Sequence, residues 1–295
     1  MIKLQFHQEE YSSFLYQEGS VFFPLLSSEE ITALRELFFQ HHPQDPQGFY
    51  ATTHLEDKTL RKQISNQIYK IIAPKLEGLF SNIQVLGGAF ISKAPGEKGI
   101  LPLHQDWNIV DEEKARSYNL WIPLCDVNDF NGAMRILERS HLKEKTYRGP
   151  NISPSLHHIS RTVEDHMFSV NMKAGEALIY DHALWHSSPV NQSKEIRLAI
   201  VMGIIADGAD MKYYHQNGAD IEEYNSHPNF FFENDRENGH KTLSLHQRFP
   251  FKIGSLDETE FEQIYLGKEI QVKEELKQSF FSSLFNRFKN KSSKS

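Results

Sequence analysis

The hydrophobic positions of the N-terminal part follow a helical period. In "SSEEITALRELFFQHH" apolar residues recur every three or four positions, which predicts a helix over residues 28–41, and Ser27 opens a capping-box pattern. A second stretch with the same period predicts a helix over residues 57–80, which Pro74 would kink or end. We therefore expect residues 1–82 to be mainly helical.

The pattern then changes to short apolar or alternating runs. Runs such as "IQVLGGAFISKA", "SYNLWIPLCDV" and "IRLAIVMGIIA" have strand character, and turn sequences such as "PGEKG" and "NDFNG" separate them. Many short strands without intervening helices predict an antiparallel barrel or jelly roll. No linker interrupts the chain, so we expect one domain over residues 1–295, mainly β with flanking helices, whose β core spans residues 83–206.

The C-terminal third shows little periodicity. Residues 208–250 read as an irregular excursion dense in aromatic residues and histidine, and long loops of this kind are often lids over a functional site. We therefore expect residues 207–272 to form a lid-like insertion and a C-terminal part. The basic end of the chain, residues 273–295, is interpreted as a surface tail, with a membrane or partner anchor as the alternative.

Composition and charge narrow the possible functions. The 295 residues carry a net charge of -7, which argues against a nucleic-acid partner because phosphate binding needs clustered Lys and Arg. One cysteine, Cys125, precludes an intramolecular disulfide, and the N-terminus has no apolar signal region. The longest strongly apolar run, residues 198–205, is too short to span a bilayer. We expect a soluble, cytoplasmic protein with no transmembrane segment.

Candidate metal chemistry begins in "LPLHQDWNIV", residues 101–110. Side chains alternate along a strand, so His104 and Asp106 would lie on one face, where they could share a metal ion. The spacing alone is weak evidence, because about one such pair is expected by chance in a chain with this many His and Asp residues. Two solvated polar residues at the end of a strand would look the same.

The stretch "GEALIYDHALWHSSPVNQSKEIRLAI", residues 175–200, favours the metal. It predicts a strand that ends in His186, a Pro-Asn turn, and a further strand that Arg197 opens. If the strand ends of one jelly roll bring His104, Asp106 and His186 together, they form the facial triad of non-haem Fe(II) oxygenases. This triad leaves three coordination positions open, which suits a bidentate cosubstrate and dioxygen.

Arg197 follows His186 by eleven residues across the predicted turn. A hairpin would return it toward the metal, where a guanidinium can bind a carboxylate through two parallel hydrogen bonds. A 2-oxoglutarate site needs this combination of a metal for the 2-oxo acid end and a fixed cation for the distal carboxylate. Arg197 alone would be interpreted as a surface strand residue, and its position after His186 reverses that preference.

Three segments resemble the phytanoyl-CoA dioxygenase family of Fe(II)/2-oxoglutarate-dependent oxygenases. They are "HQDW", "NLWIPLCDVNDFNGAMRILERSH" and "GEALIYDHALWHSSPVNQSKEIRLAI", in the family's order and at similar spacing, and the resemblance covers residues 83–206. It implies a double-stranded β-helix, the jelly-roll fold of cupin-like proteins. One departure is "ERSH", where Glu138 and Arg139 replace the family's usual Pro-Gly before Ser-His. We expect a loop of different shape there, with consequences for substrate access.

The resemblance also implies a metal centre and a cosubstrate pocket. The implied iron ligands are His104, Asp106 and His186. The residues implied to bind 2-oxoglutarate are Arg197 and Ser188, which take the distal carboxylate, and Trp121, which lines the pocket. Asn119 would share the strand face of Trp121 and is a further candidate for a hydrogen bond to the cosubstrate.

Other polar and aromatic residues have two interpretations each. Trp107 would either stack on substrate or pack beside a strand end. Lys93 would either face the bound molecules or, as its turn-like surroundings favour, be a solvated lysine. His182 is interpreted as structural or as a neighbour of the ligands, because strand character and Pro189 argue against a helical zinc pair with His186. His54 repeats the His-x-acid spacing outside the β-rich part and is interpreted as a surface residue.

The sequence therefore predicts an Fe(II)/2-oxoglutarate-dependent dioxygenase that consumes dioxygen and hydroxylates an unactivated C–H bond of a small organic or carrier-bound substrate. Asp106 bears on the outcome, since related halogenases have a small residue in place of this carboxylate. Two alternatives stay open. One is a cupin-like metalloenzyme that does not use 2-oxoglutarate, and the other is a non-catalytic binding module on the same fold. Fold and motifs do not choose the substrate.

Overall fold

Thirteen strands and six helices occur in the part of the chain that the computed structural model describes, residues 1–42, 44–252 and 254–267. The helices are α1 (Glu9–Glu18), α2 (Ser28–His41), α3 (Lys58–Glu77), α4 (Ser160–Glu164), α5 (Phe230–Glu233) and α6 (Glu258–Tyr265). The strands are β1 (Ser20–Pro24), β2 (Phe49–Ala51), β3 (Ile83–Lys93), β4 (Leu101–His104), β5 (Ser117–Pro123), β6 (Arg135–Ile136), β7 (Phe168–Ser169), β8 (Glu176–Asp181), β9 (His186–Ser188), β10 (Arg197–Ala206), β11 (Lys212–Asn217), β12 (Asp220–Asn225) and β13 (Ser244–Pro250). The basic tail predicted for residues 273–295 lies outside the described residues.

The strands form three antiparallel sheets. The larger sheet has the order β1-β8-β5-β10-β3-β2, the smaller has the order β4-β9-β6-β7, and β11-β12-β13 form a third. The larger and smaller sheets share a buried core, in which Leu178 and Ala199 of the larger sheet pack with Ile136 of the smaller one. The predicted fold, mainly β with flanking helices and arranged as a jelly roll, is confirmed.

Helices α2 and α3 cover the outer face of the larger sheet. Their apolar residues, among them Phe38 and Ile68, form one buried cluster with Ile200 of β10. Each fully buried side chain of this kind contributes about 1.5–3 kcal/mol. The predicted capping box of α2 is present, since the Ser27 hydroxyl accepts from the Glu30 N–H and the Glu30 carboxylate accepts from the Ser27 N–H.

Helix α3 is the predicted second helix, with slightly narrower limits. It runs through Pro74 to Glu77, so the proline does not end it. Only the last turn follows the proline, and the missing N–H therefore interrupts the hydrogen-bond ladder close to its natural end. The N-terminal part also contributes β1 and β2 to the larger sheet, which the expectation of a mainly helical segment omitted.

Strand β5 shows how one strand serves both the core and the site. Leu120 and Ile122 belong to the core shared with the helices, whereas Asn119 and Trp121 line a cavity on the other face. The register is set by pairing with β10, which puts Val201 opposite Trp121. Because side chains alternate, a slip of one residue would turn Trp121 away from the cavity.

The expectation that residues 208–250 are irregular is wrong. They contain the whole third sheet, in which β11 and β12 are joined at the tight turn that contains Gly218. Strands β11 and β12 carry charges at buried positions, and β13 is exposed along most of its length, so none of the three shows a clear apolar alternation. Glu223 of β12 is buried and pairs with Lys212 of β11 at 3.0 Å, so the apolar alternation that marks a strand is broken. The irregular part reduces to the connection of residues 226–243, between β12 and β13.

In the described part of the chain, no helix combines the length and the apolar character that crossing a membrane requires.

Candidate metal centre

Two histidines face each other across the smaller sheet. His104 ends β4 and His186 begins β9, and the two residues are direct partners in the antiparallel pairing, with ring centroids 4.2 Å apart. Asp106 follows β4, and its Oδ2 lies 3.8 Å from His186 Nε2. One ligand atom from each of the three residues lies within 4.8 Å of the others, so one metal ion could contact all three.

The hydrogen bonds of the two imidazoles fix which nitrogen faces the centre. His104 Nδ1 lies 2.7 Å from the Pro102 carbonyl oxygen, and His186 Nδ1 lies 2.9 Å from that of Leu184. A carbonyl oxygen only accepts, so each Nδ1 carries the proton and each Nε2 presents a lone pair. Metal-binding histidines have their second nitrogen held in this way.

Asp106 is oriented by neighbouring groups. Its Oδ2 accepts a hydrogen bond of 2.8 Å from Asn119 Nδ2, and its backbone carbonyl accepts one of 2.6 Å from Arg148 Nε. Burial acts to raise the pKa of Asp106, but the neighbouring imidazoles of His186, His182 and His104 and the hydrogen bond from Asn119 outweigh it, so the pKa is lowered.

The pKa of His186 is lowered to about 4, first by burial and then by the neighbouring His104. At neutral pH His186 is therefore uncharged and Asp106 is anionic. These are the protonation states in which imidazole and carboxylate bind a metal.

Arg197 and Ser188 lie at the same end of the cavity. Arg197 Nη1 donates to the Ser188 hydroxyl at 3.1 Å and to the Gly132 carbonyl, and the Ser188 hydroxyl donates to that carbonyl at 2.9 Å. The Arg197 guanidinium carbon lies 5.5 Å from the centroid of the Trp121 ring. The predicted hairpin thus brings Arg197 back to Ser188, and Trp121 joins them.

Lys93 is buried, and its interpretation as a solvated turn lysine is wrong. It lies opposite Arg197 in the pairing of β3 with β10, is 0 % exposed, and donates from Nζ to the carbonyl oxygens of Ser188 and Pro189. Burial, followed by the positive charge of Arg197, lowers the pKa of Lys93 to about 7. Lys93 is the last residue of β3, and the apolar residues before it give no sign that its side chain turns inward.

One cavity of about 480 Å³ joins the triad to Arg197. All seven predicted site residues line it: His104, Asp106, Asn119, Trp121, His186, Ser188 and Arg197. The apolar part of its wall includes Phe49, Leu86, Trp107, Ile109, Phe231 and Phe232. The structure therefore gathers residues from both sheets, from the segment after β4 and from the 226–243 connection around one space.

Asn119 has two polar contacts, and both involve the metal side of the cavity. Besides Asp106, its amide nitrogen lies 3.2 Å from the Tyr180 hydroxyl. Its predicted hydrogen bond to the cosubstrate stays a prediction. His182 is buried beside Asp106, and its Nδ1 lies 2.9 Å from the Ser117 hydroxyl, in keeping with a supporting position.

The loop with Glu138 and Arg139 was expected to affect substrate access, and the structure places it elsewhere. Arg139 has φ +62°, in the left-handed region that suits the glycine found there in the family, and its guanidinium binds the Glu18 carboxylate at 2.8 and 2.6 Å. Neither residue lines the cavity. The altered loop thus packs against helix α1 through the Arg139–Glu18 ion pair and does not reach the cavity.

Sequence reasoning missed three cavity residues of the 226–243 connection, Phe231, Phe232 and Arg236. The run "NFFFEND" is conspicuous, but nothing in it indicates which aromatic side chain turns toward the metal centre. Gly87 offers a structural sign. It has φ +95°, and a Cβ there would lie 2.3 Å from the Phe232 ring, so the glycine makes room for that ring.

A jelly roll that carries two histidines and a carboxylate on neighbouring strands is the arrangement of facial-triad metalloproteins. The family described as phytanoyl-CoA dioxygenase (PhyH) matches residues 22–199, more than half of the chain, and the chain belongs to this family.

Individual relatives are more distant. The dioxygenase andF of Emericella variicolor is 27% identical over 152 residues, which is 48% of this chain and 49% of that protein. The chain spans about half the length of the curated relatives it matches.

Two solved structures are similar in fold. The alpha ketoglutarate dependent carbocyclase SnoK from nogalamycin biosynthesis has a TM-score of 0.50 at 20% identity, with 70% of this chain and 86% of that chain covered. The epimerase SnoN, in complex with Fe3+, alpha ketoglutarate and nogalamycin RO, has a TM-score of 0.51 at 18% identity, with 84% and 94% covered. At these identities the likeness is one of fold.

Proposed function

We propose that this protein is an Fe(II)/2-oxoglutarate-dependent dioxygenase that hydroxylates a small organic or carrier-bound substrate. The observation that carries the proposal is the single cavity that holds the His104, Asp106 and His186 cluster at one place and the buried Arg197 at another. Membership of the phytanoyl-CoA dioxygenase family supports it.

The donor set fits iron. Two imidazole Nε2 atoms and one carboxylate, all on one side, suit Fe(II) and leave positions open for other ligands. Both Nδ1 atoms are engaged with backbone carbonyls, so the rings need no rearrangement before they bind. Asn119 holds the carboxylate of Asp106 from behind and completes the orientation.

The inner end of the cavity fits a carboxylate. Arg197 Nε and Trp121 Nε1 are buried without a hydrogen-bond partner among the described residues. Buried donors are normally paired, and an unpaired one costs about 1–3 kcal/mol. A carboxylate of 2-oxoglutarate beside the guanidinium would satisfy Arg197, with the Ser188 hydroxyl close by.

Bound iron would supply the activation of dioxygen and the oxidation of substrate, coupled to decarboxylation of 2-oxoglutarate. The protein's own residues would hold the metal and orient the cosubstrate. His104, Asp106 and His186 would fix the metal, Arg197 and Ser188 would fix the distal carboxylate, and the aromatic wall would exclude water. Asp106 would supply a carboxylate ligand, and its presence supports hydroxylation.

Anaerobic titration tests the proposal. Addition of 2-oxoglutarate to the Fe(II)-loaded protein should produce a weak visible charge-transfer band, which neither a cupin-like enzyme without this cosubstrate nor a binding module would give. His104→Ala and His186→Ala should abolish the band while the circular dichroism spectrum stays native. Succinate release, screened over amino acids, acyl-CoAs and carrier-bound acyl groups, would then identify substrates. A protein that binds iron without the band would contradict the proposal.

A further inference from the structure

A second cation lies at the mouth of the cavity. Arg236, on the 226–243 connection, has its guanidinium carbon 4.8 Å from the centroid of the Trp107 ring. Its Nη1 donates to His54 Nε2 at 2.7 Å. Arg236, Trp107 and His54 all line the cavity. The mouth therefore presents a guanidinium fixed between an aromatic face and an imidazole.

In the described part of the chain this guanidinium forms no ion pair, and the carboxylates of Glu237 and Asp106 act on its charge only from farther away. No carboxylate there lies within ion-pair distance of Arg236, and its Nε is buried without a hydrogen bond. Asp235, the preceding residue, is exposed and accepts bonds from Asn238. His54 does not add a charge, because a guanidinium only donates and Nε2 must therefore be an unprotonated acceptor. The positive charge of Arg236 is thus available to a ligand.

The surface beside Arg236 is apolar. Phe231 lies 6.3 Å from Trp107 between ring centroids, and Phe232 and Ile109 continue the same wall. A ligand that fills this part of the cavity would bury an aromatic or aliphatic body against the wall. Its polar end would meet the guanidinium at the mouth.

We propose that Arg236 binds an acidic group of the substrate, so that the substrate is an organic acid with an apolar body. The proposal rests on the function proposed above, in which Arg197 binds the cosubstrate at the inner end. Arg236 then acts at the outer end as a specificity-determining residue. A guanidinium stacked on a ring and held by an imidazole is preorganised for the planar, two-point binding of a carboxylate or phosphate.

The two arginines line the same cavity but belong to different parts of the fold, so their roles can be tested separately. Arg197 opens β10 in the jelly roll, whereas Arg236 belongs to a connection outside it. A substitution at Arg236 should therefore alter the recognition of substrate and leave the recognition of 2-oxoglutarate intact.

Calorimetric titration of the Ni(II)-loaded protein tests this inference without turnover, because Ni(II) occupies the same donors as Fe(II). The probes are phenylbutanoate, phenylpropyl phosphate and the neutral phenylbutanamide, each with 2-oxoglutarate present. At least one acidic probe should bind about ten- to a hundred-fold more tightly than the amide, as expected for charged hydrogen bonds. Comparison of phenylbutanoate with phenylpropyl phosphate shows whether the site prefers a carboxylate or a phosphate.

The variants are Arg236→Gln, Arg236→Lys and the exposed control Arg161→Gln, with folding checked by thermal unfolding. Arg236→Gln should abolish the preference for acid over amide, Arg236→Lys should retain part of it, and Arg161→Gln should change nothing. A merely structural Arg236 would weaken both classes of probe equally, and that result would overturn the inference. Equal or absent binding of acids and amide to the unaltered protein would overturn it too.

Failure of the proposed function has a different signature. Ni(II)-loaded protein would then not bind 2-oxoglutarate, and the probes would be titrated without it. Loss of acid preference in Arg236→Gln under those conditions would still support the anion site.

Discussion

Lys93 and Arg197 are direct partners across β3 and β10, and both cationic side chains are buried. In the described residues no carboxylate forms an ion pair with either of them. A charge on either side chain destabilises the folded state in this low-dielectric interior, and the pKa of Lys93 is lowered for that reason. A bound dicarboxylate would offset that cost, which gives the inner end of the cavity a physical preference for anions.

The first prediction concerns the geometry of the clamp. Arg197→Lys keeps the charge but loses the planar fork, so the Kd for 2-oxoglutarate should rise about ten- to a hundred-fold, as loss of a charged hydrogen bond implies. Metal affinity should stay the same, because Arg197 contacts no ligand of the candidate metal centre. The exposed Arg161→Lys is the matched control. An unaltered Kd in Arg197→Lys would show that this residue does not bind the cosubstrate.

The second prediction is a pH dependence of stability. The pKa of Lys93 is lowered from its ordinary 10.5 to about 7 by burial and by Arg197. Between these values the unfolded chain holds the proton and the folded chain does not. The free energy of unfolding should therefore rise with pH across this window, by up to about 1.4 kcal/mol per pH unit. Below about pH 7 the Lys93 contribution should become constant.

Urea unfolding of the metal-free protein at several pH values measures this slope. Lys93→Met removes the titrating group, so the slope of the unaltered protein minus that of the variant isolates its contribution from other groups. Identical slopes in the two proteins would mean that Lys93 keeps its proton in the folded state.

The sequence predicted the parts of the site that local rules determine. His104 and Asp106 lie together as their spacing predicts, although Asp106 is just beyond the end of β4. Arg197 returns to Ser188 across the connection of residues 189–196, as the predicted hairpin requires. The hydrogen bond between His54 and Arg236 joins residues 182 positions apart, and no local sequence pattern at either residue predicts the contact. Such contacts depend on where the 226–243 connection packs.

Buried charges account for two further errors of the sequence-based prediction. Lys93 and the paired Glu223 occupy interior positions where an apolar residue is the usual choice, so a pattern of hydrophobic positions misreads both. The strand β12 and the inward lysine were missed for this one reason. Helix α2, whose interior positions are apolar and whose capping box is complete, was predicted without error.

The third prediction concerns the support of Asp106. Asn119→Ala removes the amide that donates to Oδ2, and loss of such an outer hydrogen bond should weaken metal binding about ten- to a hundred-fold. Anaerobic Fe(II) titration measures the effect. Asn66→Ala, an exposed change on helix α3, should have none. Equal affinity of Asn119→Ala and the unaltered protein would show that Asp106 keeps its orientation without the amide.

The fourth prediction uses two glycines with similar backbone conformations. Gly87 and Gly208 have φ +95° and +81°, but a Cβ at Gly87 would meet the Phe232 ring at 2.3 Å, whereas a Cβ at Gly208 meets nothing within 4 Å. Gly208→Ala should cost the backbone strain alone, about 1–2 kcal/mol. Gly87→Ala should cost more and should also weaken the binding of phenylbutanoate, because Phe232 must move. Equal losses of stability in thermal or urea unfolding would contradict this.

The fifth prediction retains a lid over the cavity and restricts it to residues 226–243. This connection supplies Phe231, Phe232 and Arg236 to the cavity, and a salt bridge of 2.7 Å between Glu233 and Lys62 of α3 is exposed and therefore weak. Its backbone amides should exchange with solvent faster than those of β11 and β12, which are paired in a sheet.

Hydrogen exchange followed by mass spectrometry compares these segments in one experiment. Addition of phenylbutanoate to the Ni(II)-loaded protein with 2-oxoglutarate should slow exchange in 226–243. Addition of 2-oxoglutarate alone should not, because in the proposed function the cosubstrate binds beside Arg197 and away from this connection. If residues 226–243 exchange as slowly as the strands in every state, the connection is a fixed wall of the cavity. Substrate specificity would then follow from the shape of that wall and not from closure of a lid.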